Sequence, residues 1–264
     1  MLTIFISCVF LGAFIGFMAG LLGIGGGLIA VPVLLYLLPL SGVMPEHLTH
    51  VAIATSLAAI ILTSLSSARA HHSRGNVPWP LLKVMLPGLI LGALSSGFIS
   101  SLFSSDLLKQ TFAVFVILMA LQMVYPVKVE GSERVLPKTN YLFLSALVIA
   151  IIAGLMGIGG GVLLVPFLCW CGVQMRQAIG FSSVTGVTIA LFGSLSYIAA
   201  GWGAQGLPDY MLGYIYLPAL VGIVSTSMLT APFGAKAAST WPTALLKKIF
   251  AVMLMLTGIK LALG

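Results

Sequence analysis

Two stretches of this sequence repeat each other, and both are built against the habit of their surroundings. Ala19 to Leu37 reads AGLLGIGGGLIAVPVLLYL, and Ala153 to Cys171 reads AGLMGIGGGVLLVPFLCWC. Each sets a cluster of glycines and a proline inside an otherwise apolar run. In a helix interior glycine costs about 1 kcal/mol and proline about 3 kcal/mol relative to alanine. An unbroken helix is therefore disfavoured at both places, and the fold has to accept two short arms joined by irregular backbone.

The rest of the chain says what kind of fold can do so. Of 264 residues, 60% are hydrophobic and 6% charged, with a mean hydropathy of +1.17. A soluble domain carries roughly a quarter charged residues, so the chain reads as an all-α integral membrane protein. Apolar segments fall near residues 2–22, 27–38, 51–68, 81–102 and 110–125, then 141–156, 161–171, 178–199, 211–232 and 247–263. The longest polar stretch, 126–140, is a linker between 1–125 and 141–264, and no part is suited to a separate soluble domain. A net charge of +7, from Lys and Arg at segment ends, speaks of orientation in a membrane rather than of nucleic acid. The N-terminal MLTIFISCVF has no basic leader and no small-residue cleavage site, and is expected to be a retained span. Cys8, Cys169 and Cys171 lie in apolar runs as buried free thiols.

Five segments before the linker and five after it suggest duplication, and the similarity extends beyond the glycines. AIATS at Ala52 to Ser56 resembles AIGFS at Ala178 to Ser182, and LLKQTFAVF at Leu107 to Phe115 matches LLKKIFAVM at Leu245 to Met253. Loop charge then orients the halves. The loop after the third segment carries Arg69, His71, His72 and Arg74, whereas its counterpart, 200–209, has no basic residue. One loop later the bias reverses: 103–109 is balanced, but 234–248 carries Lys236, Lys247 and Lys248. The expectation is two inverted-topology repeats of five helical segments, each opened by a short Gly-broken helical hairpin. The linker, with Lys128, Arg134 and Lys138, is expected on the cytoplasmic side and both termini outside, although Lys260 near the end opposes that placement.

Length sharpens the hairpins. Residues 141–171 must cross and return within about 46 Å of helix, while two full crossings of the hydrocarbon core need about 40 residues. The arms are short, tilted or re-entrant, and irregular backbone at that depth has to face protein or a watery cavity.

The chemistry available there is mostly backbone. A helix restarting after glycine has unpaired N–H groups and a partial positive charge at its first turn. Two such starts, at Gly23, Gly25, Gly26 and Gly27 and at Gly157, Gly159, Gly160 and Gly161, could hold a small anion between them. The competing reading is close packing by small residues, but two copies in related positions favour the binding site. Pro32 and Pro166 would loosen each arm, as part of a pathway mouth or gate. Thr55, Ser56, Ser182 and Ser183 can donate to an anion, or else bond back to their own helices. His50 and Arg176 hold matching positions before the next spans, each able to attract an anion at its own mouth of the pathway. Arg176 serves equally well as an orientation anchor.

Absences narrow the class. Glu46, Asp106, Glu130, Glu133 and Asp209 fall in loops or at segment ends, which argues against a cation pathway. No metal-spaced cluster, nucleophile elbow or HExxH is found, so neither an enzyme nor a bound metal or cofactor is expected.

The doubled GxxGIGGGxxxVP pattern, the basic HHSRGNVPW of His71 to Trp79 and the AIATSL of Ala52 to Leu57 resemble the TauE/SafE-type sulfite exporter family along the whole length. Ala54 and Phe181 depart from the family pattern, at a glycine and a threonine position. The resemblance implies a bacterial inner-membrane carrier that exports sulfite, thiosulfate or an organosulfonate. The expectation is a secondary transporter of a small sulfur-containing anion working by alternating access, with the lipid bilayer as its surroundings and the coupling ion, proton or sodium, left open. A passive anion channel and a non-transporting scaffold or assembly factor are the alternatives.

Overall fold

A computed structural model describes residues 2–22, 26–124, 136–240 and 243–263. Among them, helices dominate: α1 (Leu2–Leu22), α2 (Gly27–Leu37, continued by a 3₁₀ turn Leu38–Ser41), α3 (Pro45–Ser73), α4 (Trp79–Ser100) and α5 (Ser105–Val124) precede the linker. After it come α6 (Thr139–Leu155), α7 (Gly161–Trp170), α8 (Met175–Gly201), α9 (Leu217–Thr240) and α10 (Thr243–Leu263). Between α8 and α9, β1 (Met211–Leu212) and β2 (Ile215–Tyr216) make a small antiparallel hairpin. By length and composition 45–73, 79–100, 105–122 and 175–201 can each cross a membrane. The protein is an all-α membrane protein.

Local signals explain where the long helices begin and end. α3 starts with Pro45 at its first position, where a missing N–H costs nothing, and Glu46 in the first turn complements the helix dipole. It stops at Gly75, whose φ of 69° lets the chain reverse. There the N–H groups of Gly75 and Asn76 return to the carbonyls of His72 and His71 at 3.0 and 3.1 Å.

The helices pack in a patterned way. α1 lies along α9 and α4 along α6; α3 lies along α8 and α5 along α10; α4 also meets α8 and α3 meets α9; α2 rests on α3 and α7 on α8. Exchanging each helix of the first five with its counterpart in the second five returns these same pairings, whereas α3 also packs on α5 without a comparable α8–α10 contact among the described residues. Small residues permit the closest approaches. Gly12 and Gly16 of α1 sit on the backbone of α9 at Ile223 and Ser227, and Gly88 and Gly92 of α4 sit on that of α6 at Phe143 and Leu147. A Cβ at any of the four would overlap those atoms, so both pairs are held by the close backbone contact typical of membrane helices.

Two boundaries differ from the sequence expectation. The third segment begins at Pro45 rather than near residue 51 and runs to Ser73, so Arg69, His71 and His72 belong to the last turns of α3, and the link to α4 is only 74–78. The ninth begins at Leu217 rather than 211, because the preceding residues turn at Gly213 (φ 56°). Their N–H groups bond elsewhere: Tyr214 to the Tyr197 carbonyl at 3.4 Å and Tyr216 to the Thr55 hydroxyl at 3.1 Å. The linker residues Lys128, Glu130, Glu133 and Arg134 lie outside the described residues.

Candidate functional site

Each glycine of the second motif that takes a positive φ has a definite task. Gly157, at φ 66°, ends α6: its own N–H returns to the Gly154 carbonyl at 3.3 Å, and that of Ile158 to Ala153 at 3.0 Å. Gly160, at φ 73° and ψ −12°, starts α7, its carbonyl accepting the N–H groups of Leu163 and Leu164 at 3.1 and 2.8 Å. Gly26 repeats that start for α2, with φ 72° and ψ −16° and bonds from Ile29 and Ala30 at 3.1 and 3.0 Å. Gly23 and Gly25 of the first motif lie outside the described residues. The arms that follow have 11 and 10 residues, about 16 and 15 Å of helix. Either is about half the thickness of a bilayer core. Pro32 and Pro166 sit inside these arms, and the helices continue through both.

The two motifs meet. A Cβ on Gly27 would come within 2.5 Å of the Gly157 carbonyl oxygen and 3.0 Å of Ile158 Cα. One on Gly157 would lie 2.8 Å from Val31 of α2 and 3.2 Å from the backbone of Ile53 on α3. Backbone thus touches backbone where the motifs cross. Gly26, Ala30, Ser56 and Thr63, together with Ile15, Ile60 and Ile223, border a small cavity whose open wall is apolar, with room for at most about one water. The first-turn N–H groups of Gly27 and Leu28, and of Gly161 and Val162, precede the first bond each helix makes. They carry the positive end of the helix dipole. No described carboxylate lies nearby: Glu46, Asp106 and Asp209 are all exposed at element ends.

The hydroxyls divide into two sets. Ser56 donates to the Gly157 carbonyl at 2.9 Å, tying α3 to the second motif, and Ser182 lies against Gly161, its Oγ 3.5 Å from where a Cβ would stand. Ser182 and Ser183 both donate to the Ile179 carbonyl of their own helix, at 3.1 and 2.9 Å, and Ser183 also meets Ser67 of α3 at 3.1 Å. With Ser183 donating to Ile179, Ser67 is the donor of that pair. Thr55 faces away from the glycines and accepts the N–H of Tyr216.

His50 and Arg176 part company. His50 is in the second turn of α3, buried, with Nε2 3.0 Å from the Ser100 carbonyl and its ring stacked on Tyr214. Burial pushes the Tyr214 phenol above its usual range, so the ring stays neutral. Arg176 is exposed in the first turn of α8, at the same end of the α3/α8 pair as Arg74. Lys260, in the last turn of α10, places its ammonium 4.5 Å over the ring of Tyr36.

The sulfite exporter TauE/SafE family model matches residues 8–261. The chain belongs to the TauE/SafE family. A probable membrane transporter protein of Haemophilus influenzae is 37% identical over the full length of both chains. A probable membrane transporter protein of Methanocaldococcus jannaschii is 25% identical across 80% of this chain and 77% of its own. The probable membrane transporter protein YunE of Bacillus subtilis is 28% identical across 75% and 79%. No solved structure matches the chain. As a TauE/SafE member it is a membrane transporter by family, and among the described residues no group of three His, Cys, Asp or Glu side chains gathers to hold a metal.

Sequence reasoning did not single out Ser64, Ser67 or Gly186 for this TauE/SafE protein. Ser64 packs on Gly186, which in turn lies against Gly159 of the second motif. The signal was present: Ser56, Thr63 and Ser67 recur at helical spacing along one face of α3.

Proposed function

We propose that this TauE/SafE protein is a secondary transporter, working as an exporter, of a small sulfur-containing anion such as sulfite, thiosulfate or an organosulfonate. The observation that carries the reading is the pair of half-length helices, α2 and α7. Each starts from a left-handed glycine of nearly identical geometry, and their motifs pack backbone to backbone. Helix starts of this kind favour an anion. The absence of a described carboxylate beside them leaves the anion unopposed. The sulfur in the substrate rests on the family name.

In this reading residues 1–125 and 141–264 are inverted repeats about a cytoplasmic linker, in the bacterial inner membrane with both termini outside. Support comes from the main helix pairings, which survive exchange of the two sets of helices, and from the loop charges. Gly25 to Gly27 and Gly159 to Gly161 hold the anion through backbone N–H groups, with Ser56, Ser182 and Ser183 as supporting donors. The cavity at Gly26, with room for about one water, belongs to a closed arrangement. Rocking of one repeat against the other would release Ser56 from Gly157 and widen it. Thr55, bonded to the hairpin, is assigned a structural part instead.

Labelled-for-unlabelled exchange in liposomes tests the proposal. Saturable exchange of sulfite, thiosulfate or sulfoacetate is expected in the wild type. It should be lost in Gly26→Leu and Gly160→Leu, whose side chains would stand on a left-handed backbone that leucine rarely adopts and would strike Ile15 and Ile189. The variants should still reach the membrane. Full exchange in both would overturn the assignment of the site. Unsaturable flux that tracks voltage alone would make the protein a channel, and no substrate-dependent flux at all would leave a scaffold.

A further inference from the structure

Away from the glycines, at the end of α3 that faces the hairpin, a buried polar cluster has capacity to spare. His50 is 4% exposed. Its Nε2 lies 3.0 Å from the Ser100 carbonyl, which can only accept, so this nitrogen carries the proton of the neutral ring. Nδ1 is then a bare lone pair, buried, with nothing donating to it. The Ser100 hydroxyl, at 0% exposure, lies beside the Tyr197 hydroxyl without a hydrogen bond of full geometry. Buried polar atoms are normally satisfied, so the bare Nδ1 marks a place that can take up a proton.

The surroundings define what that is. Tyr214 stacks on the imidazole with centroids 5.3 Å and planes 30° apart, a geometry that favours a cation. Tyr197 of α8 is fully buried beside Ser100 and donates to the Gly154 carbonyl at 3.4 Å. That same carbonyl receives the N–H of Gly157, so the cluster reaches the second glycine motif. From α3 itself His47 faces the site, its ring 5.7 Å from that of Tyr214 and its Nε2 3.1 Å from the Gln205 carbonyl. The end of α4 and the turn beyond it contribute the carbonyls of Ser100 and Phe103. None of the groups acting on His50 is a carboxylate, and Glu46, Asp106 and Asp209 at this end are exposed.

We propose that His50 Nδ1 is the coupling-proton site of the carrier, and that the transported anion moves together with that proton. The step is a protonation: a proton delivered by hydronium, which leaves as water, adds to the Nδ1 lone pair, Nε2 keeps its own proton and goes on donating it to the Ser100 carbonyl, and no other bond changes. A buried imidazolium with no fixed counter-charge is unfavourable by itself. An anion in the pathway supplies the missing charge, so each makes the other's binding more favourable, and reciprocally. The proposal rests on the transport reading above for its site and substrate class. Because the proton gradient across a bacterial inner membrane runs inward, a proton that moves with the anion drives uptake, and net export then requires an outward anion gradient that exceeds it.

The test uses the full-length protein in liposomes with labelled thiosulfate and labelled sulfoacetate, whose protonation does not change near neutral pH. An inwardly directed proton gradient should raise internal label above equilibrium in the wild type. In His50→Gln that accumulation should vanish, and any exchange that continues at equal pH should be weaker and no longer vary with pH. Accumulation at the wild-type level in His50→Gln would overturn the proposal, as would wild-type exchange that ignores a proton gradient or answers to sodium instead. If the wild type exchanges neither probe, the transport reading itself fails and this proposal falls with it. Should His50→Gln lose exchange as well, Tyr214→Leu decides. Without the ring the protonated form is less favoured, so the pH midpoint of wild-type activity, high below it and lost above, should move down by about half a unit. Tyr214→Phe should leave it in place, and an unmoved midpoint in Tyr214→Leu overturns the assignment.

Discussion

The two ends of the α3/α8 pair are built on one plan and finished in different chemistry. At the hairpin end Leu57 covers Gly193, within 3.1 Å of where a Cβ would stand, and Thr55 anchors the hairpin through Tyr216. At the basic end Ser67 meets Ser183 at 3.1 Å, Ser64 packs on Gly186, and the short turn at 74–78 lays the Asn76 carbonyl over Gly180. The register that aligns Ala52 with Ala178 also aligns Leu57 with Ser183 and Ser67 with Gly193. In the proposed repeats, Leu57 on Gly193 and Ser67 on Ser183 are therefore the same contact seen from opposite ends. Hydrocarbon and a hairpin seal one; two hydroxyls close the other. Water can replace a hydroxyl partner at little net cost, but it cannot replace a packed leucine. On that ground the basic end is expected to part more readily.

Variants at the sealed end should show the largest effects. Leu57→Ala removes the covering side chain and should lower stability by about 2–5 kcal/mol, measured by equilibrium unfolding in detergent. A loss no larger than that of a serine variant at the basic end would erase the distinction. Thr55→Val comes next. It keeps the shape but strands the buried N–H of Tyr216, at a cost of about 1–3 kcal/mol. Hydrogen exchange at the Tyr216 amide should quicken, and an unchanged rate would mean that the hairpin is held by packing alone.

That contrast was only partly legible in the sequence. The glycine motifs announced themselves because positions such as Gly157 and Gly160 need positive φ, which leaves a mark in composition. Their meeting at Gly27 and Gly157 could be anticipated from the duplication, since related segments tend to face one another across a common axis. The hairpin was hidden. MLGYIYLPAL reads as one apolar run into α9, and strands of two residues carry no period to detect. His50 was placed ahead of its span because hydropathy falls over MPEHLTH, yet Pro45 starts the helix there and the hairpin buries its polar turn. Of the hydroxyl face on α3, only the part beside the glycines drew notice, since serines in membrane helices so often bond to their own backbone.

The smallest effect is the most discriminating. At the basic end Ser183 keeps its bond to the Ile179 carbonyl, so Ser67 is the side chain that donates across the interface. Interhelical bonds of this type in membrane proteins are worth about 0.6 kcal/mol, partly because a freed serine can turn back to its own helix. A double-mutant cycle with Ser67→Ala and Ser183→Ala should therefore give a coupling energy near that value, with each single variant costing little. Exchange in liposomes should be kept or quickened in Ser67→Ala, since in the proposed cycle the contact it removes opens when the anion passes. A coupling energy as large as the Leu57→Ala loss, or exchange abolished by the single hydroxyl, would mean that the basic end is sealed as firmly as the hairpin end. The asymmetry between two equivalent contacts would then lie in composition alone and have no part in the transport cycle.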